Sequence, residues 1–154
     1  MEKLLTVSVA AYNGAATLQK ALSSCLVADE SLQALLDVII IDDMISSGDS
    51  MLDVAKQLKK RKANRVFVAS TFGLFTNGLE RFDEAYEQGL IYRVMTTNSI
   101  YQTPELLEKE WYINVDISKF TALFIDRLNH DASISDILNP IDKITKKINE
   151  YNNK

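Results

Sequence analysis

Asp42 and Asp43 follow the apolar run Val38-Ile39-Ile40-Ile41, and Ser46-Ser47-Gly48-Asp49-Ser50 begins after Met44 and Ile45. A hydrophobic strand that ends in two carboxylates offers oxygen ligands to sugar hydroxyls. It offers them equally to magnesium, which keeps several waters and takes one or two carboxylates. A short hydroxyl-rich loop that opens a helix presents backbone N–H groups to a phosphate. In open parallel α/β sheets, ligands sit at the carboxyl ends of the strands. Phosphate at one end and carboxylates at the other suit a sugar phosphate. The plainer alternative is that the acidic residues close a strand and Ser50 caps a helix. Asp53, three residues on, then completes a capping-box-like start.

Other chemistry is thin. One Cys excludes a disulfide framework within the chain, and one His excludes a His-pair metal site. Cys25 shares an apolar stripe with Leu18, Ala21, Leu22 and Leu26, which reads as packing. His130, between Asn129 and Asp131 at a helix end, reads as a structural or interface residue. Lys56, Lys59, Lys60, Arg61, Lys62 and Arg65 form the one basic cluster; without interleaved aromatics it reads as the solvated end of a helix. Trp111 and the Phe residues read as core.

The elements that must position the acidic loop follow from periodicity. Leu4 to Ala10 reads as a buried first strand in preference to a signal sequence. Leu36 to Ile41 is the strongest strand, and Met51, Val54, Ala55 and Leu58 stripe the helix after the loop. Arg65 to Ala69 reads as a strand, Leu79 to Tyr86 as a short helix and Leu90 to Met95 as another strand. Thr103-Pro104 reads as N-cap and first residue of a helical turn, and Tyr112 to Val115 as a short strand. Ile117, Phe120, Phe124 and Leu128 stripe a longer helix. After Asn139-Pro140 a terminal helix carries Ile141, Ile144, Ile148 and Tyr151 on one side and is expected to dock on the body.

Strands alternating with helices imply an α/β fold: a doubly wound, mainly parallel sheet with helices on both faces. With 154 residues, 47% of them hydrophobic, one α/β domain over 1–154 is the default. It comprises 1–37, 38–138 and a terminal helix at 139–154. Only five Gly, two Pro and 25% charged residues exclude disordered and low-complexity classes. A net charge of −4 supplies no attraction to nucleic acid or an anionic membrane. No apolar run approaches the ~20 residues of a membrane helix, so a cytoplasmic protein without nucleic-acid or membrane partners is expected.

From Val38 to Leu138 the sequence resembles the carboxyl-terminal domain of ribose-phosphate diphosphokinase (phosphoribosyl pyrophosphate synthase). The matching stretches begin with Asp42-Asp43-Met44-Ile45-Ser46-Ser47-Gly48-Asp49-Ser50, Gly73-Leu74-Phe75-Thr76 and Thr96-Thr97-Asn98. They continue with Pro104-Glu105-Leu106-Leu107, Asp116-Ile117-Ser118-Lys119-Phe120, Leu128-Asn129-His130-Asp131 and Ser133-Ile134-Ser135. The resemblance implies a phosphoribosyltransferase-like fold, a role in nucleotide biosynthesis, and ribose 5-phosphate or phosphoribosyl pyrophosphate as ligand. It places Asp42 and Asp43 at the ribose hydroxyls or their Mg2+, and Ser46, Ser47, Gly48, Asp49 and Ser50 around the 5-phosphate. Asp49 stands where that family usually has Gly, and Phe72 where it usually has His before Gly73.

Residues 1–43 resemble the start of a family 2 glycosyltransferase, through Leu4-Leu5-Thr6-Val7-Ser8-Val9-Ala10-Ala11-Tyr12-Asn13, Thr17-Leu18 and Ala21-Leu22. No Asp-x-Asp occurs, so that family's metal–diphosphate motif is missing. The chain therefore reads as composite. Complete synthases bind ATP through an amino-terminal half and use further basic loops that are absent here. No catalytic residue is assigned, and 1–154 alone is expected to be incomplete for diphosphokinase catalysis. The expected partners are a sugar phosphate and further copies in a homo-oligomer. The alternatives are a non-catalytic α/β scaffold or assembly module, and a glycosyltransferase fragment.

Overall fold

The structure is a computed structural model; it describes the backbone of residues 6–10 and all of residues 36–153. The stripe carrying Cys25 lies outside the described residues. Two compact units divide the chain, Met1–Val115 and Asp116–Lys154.

The first unit is a parallel sheet in the order β1-β2-β3-β4-β5. Its strands are β1 Thr6–Ala10, β2 Asp37–Ile45, β3 Val66–Gly73, β4 Arg93–Thr97 and β5 Tyr112–Val115. Helices α1 Asp49–Lys60, α2 Glu80–Glu87 and α3 Pro104–Leu107 connect β2 through β5. Every pairing is parallel. This is the α/β class implied by alternating strand and helix patterns. Parallel neighbours need crossovers, and the chain supplies a helix for each of these three.

Side chains alternate across each strand, so one face takes every second residue. Val38 and Ile40 of β2, Val66 and Val68 of β3 and Val94 of β4 are buried against Leu52, Ala55 and Leu58 of α1 and Phe82 of α2. The alternate residues are less covered: Ile39, Phe67 and Met95 are half-buried, and Ile41 and Ile113 are exposed. Trp111 is buried as expected and stacks on Phe82 with ring centroids 5.4 Å apart. Phe75 meets Phe82 edge-on at 5.1 Å. Phe72 and Phe120 depart from the expectation that Phe is core, being 40% and 45% exposed. Phe72 is the penultimate residue of β3. Thr103 accepts a hydrogen bond from the Leu106 N–H at 3.2 Å and Pro104 follows it, the cap and first residue read from the sequence.

The second unit contains α4 Ser118–Asn129, α5 Ser135–Leu138 and α6 Ile141–Asn152. Arg127 of α4 reaches Asp136 of α5 at 3.2 Å. The stripe Ile141, Ile144, Ile148 and Tyr151 forms on α6, but all four residues are exposed. Helical spacing specifies an apolar side and says nothing of the surface that covers it. Among the described residues, no helix is long and apolar enough to cross a membrane.

Candidate functional site

β2 is longer than the apolar run alone suggests. Its ladder continues through Asp42 opposite Ser70, Met44 opposite Phe72 and Ile45 opposite Gly73. Asp42 and Asp43 therefore sit within the last part of the strand, not beyond its end. The reason is that β3 runs on to Gly73 and offers partners to Asp42, Met44 and Ile45. The Asp43 N–H donates to Asp42 Oδ1 at 2.8 Å. Asp42 is half-buried and Asp43 exposed. Partial burial pushes the Asp42 carboxyl above the ordinary carboxylate range, and the Asp43 side chain adds to the rise. Among the described residues no Lys or Arg pairs with either carboxylate.

The β2–α1 turn is held by the segment after β3. The Leu74 N–H donates to the Ile45 carbonyl at 2.8 Å, and the Thr76 N–H to the Ser46 carbonyl at 3.0 Å. Gly48 precedes α1 with φ of 84°, a left-handed conformation that a Cβ disfavours. It is buried, and a Cβ built there would run into the Phe82 ring. The turn thus needs glycine for its backbone and for the close approach of α2.

The capping reading of Ser50 is corrected. Gly48 is the N-cap of α1, its carbonyl accepts from the Leu52 N–H at 3.0 Å, and no side chain caps the helix. Asp53 pairs instead with Lys56 at 3.6 Å. The helix begins earlier than the apolar stripe because the left-handed turn at Gly48 already redirects the chain into it. Ser46 and Ser50 are exposed. Ser47 Oγ donates to Asp49 Oδ2 at 3.1 Å and accepts from the Asp49 N–H at 3.4 Å. Asp49 Oδ1 pairs with Arg81 from the first turn of α2.

Arg81 escaped the sequence reading. It belongs to no basic cluster, and no local pattern links α2 to the turn. The structure thus joins Ser47, Gly48 and Asp49 with Arg81 and Phe82, and places Asp42 and Asp43 upstream on β2. Among the described residues no group of three or more His, Cys, Asp or Glu could hold a metal ion. Two adjacent carboxylates remain compatible with magnesium, which keeps waters and shares its shell with a substrate phosphate.

The other residues singled out from the sequence lie apart from this turn. Lys59, in the last turn of α1, donates through Nζ to the Ala63 and Asn64 carbonyls at 3.1 and 2.6 Å, tying down the segment that follows the helix. Arg65 is an exception to the solvated cluster: it holds Asp37, at the start of β2, at 2.5 Å. His130 follows α4, 74% exposed, with Nδ1 2.9 Å from the Asp126 carbonyl oxygen.

Comparison with known proteins gives a consistent assignment. Residues 26–139 match the family described as the phosphoribosyl synthetase-associated domain. The ribose-phosphate pyrophosphokinase of Shewanella oneidensis is 32% identical over 99 residues, 64% of this chain and 30% of that protein. The same-named protein of Mycoplasma genitalium is 45% identical over 65 residues, 42% of this chain and 20% of that protein. Phosphoribosyl pyrophosphate synthase-associated protein 2 of Homo sapiens is 35% identical over 97 residues, 63% of this chain and 26% of that protein. The chain thus spans less than a third of the length of these curated relatives. The crystal structure of phosphoribosylpyrophosphate synthetase from Mycobacterium smegmatis superposes with a TM-score of 0.58 at 18% identity, covering 82% of this chain and 45% of that one. This likeness shows the fold. The glycosyltransferase resemblance of residues 1–43 finds no support in these comparisons.

Proposed function

The chain belongs to the phosphoribosyl synthetase-associated domain family, and on that premise we propose that residues 42–50 bind ribose 5-phosphate or phosphoribosyl pyrophosphate. The observation that carries this reading is the pairing of two carboxylates on β2 with a left-handed glycine turn opening a twelve-residue helix. Backbone N–H groups at that helix start favour a phosphate. Asp42 and Asp43 stand on the same strand, where sugar hydroxyls would be met. The relatives named as ribose-phosphate pyrophosphokinases support the choice of ribose phosphate over other phosphate esters.

Asp42 and Asp43 are the residues that would hold magnesium, which supplies positive charge beside the phosphate or diphosphate when bound. A cation there would offset the negative charge of two adjacent carboxylates. Ser46, Ser47 and Ser50 contribute hydroxyls, and Gly48 the backbone shape. Binding is weak, because Asp49 adds a negative charge at the turn. Full diphosphoryl transfer from ATP needs several cations around the developing charge, and these 154 residues are incomplete for it. With ATP, ribose 5-phosphate and magnesium, the chain is expected to form no phosphoribosyl pyrophosphate; its appearance overturns that part of the reading.

Titration with ribose 5-phosphate, with and without magnesium, tests the binding directly. Amide resonances of Ser46 to Ser50 are expected to shift, and unchanged resonances reject the site. One observation favours a second reading, a non-catalytic assembly module of the cytoplasm: the human relative is named as a synthase-associated protein. That reading predicts no response to ribose 5-phosphate together with self-association or co-sedimentation with a complete synthase.

A further inference from the structure

The Asp49 carboxylate does not project freely from the turn. It accepts from Ser47 Oγ at 3.1 Å on one oxygen and pairs with Arg81 through the other. Its partners are therefore a hydroxyl, by hydrogen bond, and a guanidinium, by charge pairing, the groups that recognise a phosphate oxygen. Arg81 is fixed there by its neighbour: the Phe82 ring packs on Gly48 and is fully buried, anchoring the start of α2 to the turn. Arg81 itself is 48% exposed and Asp49 47%, so the pair can open without disturbing the core.

We propose that Asp49 is an internal anion that latches the turn, and that Arg81 is a phosphate-binding residue released when a phosphate ester displaces it. This rests on the reading that the turn takes a phosphate. In the closed form, Arg81 and the Ser47 hydroxyl are satisfied within the chain. In the open form, Arg81 pairs with the phosphate and the Asp49 carboxylate turns to water. No covalent bond changes; one anion exchanges for another on the same guanidinium. The latch makes affinity depend on Arg81 in a manner that charge repulsion alone does not.

A double-mutant cycle separates the two. If Arg81 merely neutralises Asp49 and never meets ligand, removing the carboxylate helps most when Arg81 is absent. If Arg81 transfers to the phosphate, removing the carboxylate helps most when Arg81 is present. The experiment measures dissociation constants for ribose 5-phosphate and for inorganic phosphate in the wild-type chain, Asp49→Ala, Arg81→Gln and the double variant, with ribose as uncharged control. Asp49→Gly is a second choice at that position should Asp49→Ala disturb the turn, and circular dichroism checks the fold of each.

The latch predicts roughly tenfold tighter phosphate binding for Asp49→Ala, the scale of one charge-assisted contact. It predicts a gain of no more than about twofold when the same change is made on Arg81→Gln. An equal or larger gain on Arg81→Gln overturns the latch and leaves the binding site intact. Failure of every folded variant to bind either phosphate overturns the site and the latch together.

Discussion

The two ends of β2 treat the same side chain in opposite ways. Asp37, at the amino end, is 1% exposed. It accepts from Arg65 Nε at 3.0 Å, from Arg65 NH2 at 2.5 Å and from Asn64 Nδ2 at 3.0 Å. Asp42 and Asp43, at the carboxyl end, have no such cation among the described residues. A buried carboxylate with a bidentate arginine and an amide is fully engaged in holding β2 to the start of β3. Partial burial raises the Asp42 carboxyl, and the adjacent Asp43 side chain adds to the rise. Position on the strand explains the difference. The amino end is closed by the residues that lead into β3, whereas the carboxyl end is where parallel sheets leave room for a ligand.

Breaking the Asp37 pair gives the largest effect. Arg65→Leu leaves a buried carboxylate without its cation and is expected to cost about 3 kcal/mol of unfolding free energy in urea. A loss below about 1 kcal/mol would place Asp37 in the same class as Asp42 and erase the contrast. Gly48→Ala is next: a left-handed backbone and contact with Phe82 together cost about 2 kcal/mol, measured the same way. Asp42→Asn is expected to change stability by less than about 0.5 kcal/mol at neutral pH, or to raise it slightly, while weakening magnesium-dependent binding of ribose 5-phosphate.

The smallest effect is a difference in pH dependence. The Asp42 carboxyl is raised on folding, so its contribution is present at low pH and is lost as pH rises through the folded value. Asp83 has the opposite sign. Burial alone would raise it, but Lys109 at 2.7 Å and the Trp111 indole N–H at 2.7 Å hold it below the ordinary carboxylate range. Its contribution is present above the ordinary value and lost as pH falls through the lowered one. Stability measured from acid to neutral pH should therefore show Asp42→Asn and Asp83→Asn shifting the profile in opposite directions. Shifts in the same direction would show that the two carboxylates share one environment.

Much of the fold was legible because strand and helix patterns are local. Ile39 to Ile41 and the stripe Met51, Val54, Ala55 and Leu58 identify β2 and α1 from composition and spacing alone. Thr103-Pro104 identifies a helix start for the same reason. The start of α1 was misplaced because a capping box is a sequence pattern, whereas Gly48 caps through backbone conformation. The stripe on α6 was legible as one side of a helix, because helical spacing is local. Of the candidate site, the acidic pair and the hydroxyl-rich turn were visible in one run of residues. Arg81 was not, since its link to Asp49 crosses a helix and a strand.

By itself, the sequence determined the order of elements, the parallel α/β class and the one segment rich enough in carboxylates and hydroxyls to be a ligand site. It also determined the likeness to ribose-phosphate diphosphokinase, because ordered motifs survive in the chain as written. Only the tertiary structure decided what each charge does. It gave Asp37 to Arg65, Asp83 to Lys109 and Asp49 to Arg81, and left Asp42 and Asp43 without a described cation. Residue type and spacing fix what a side chain can do, while the pairing of distant elements fixes which groups meet and which lose their water.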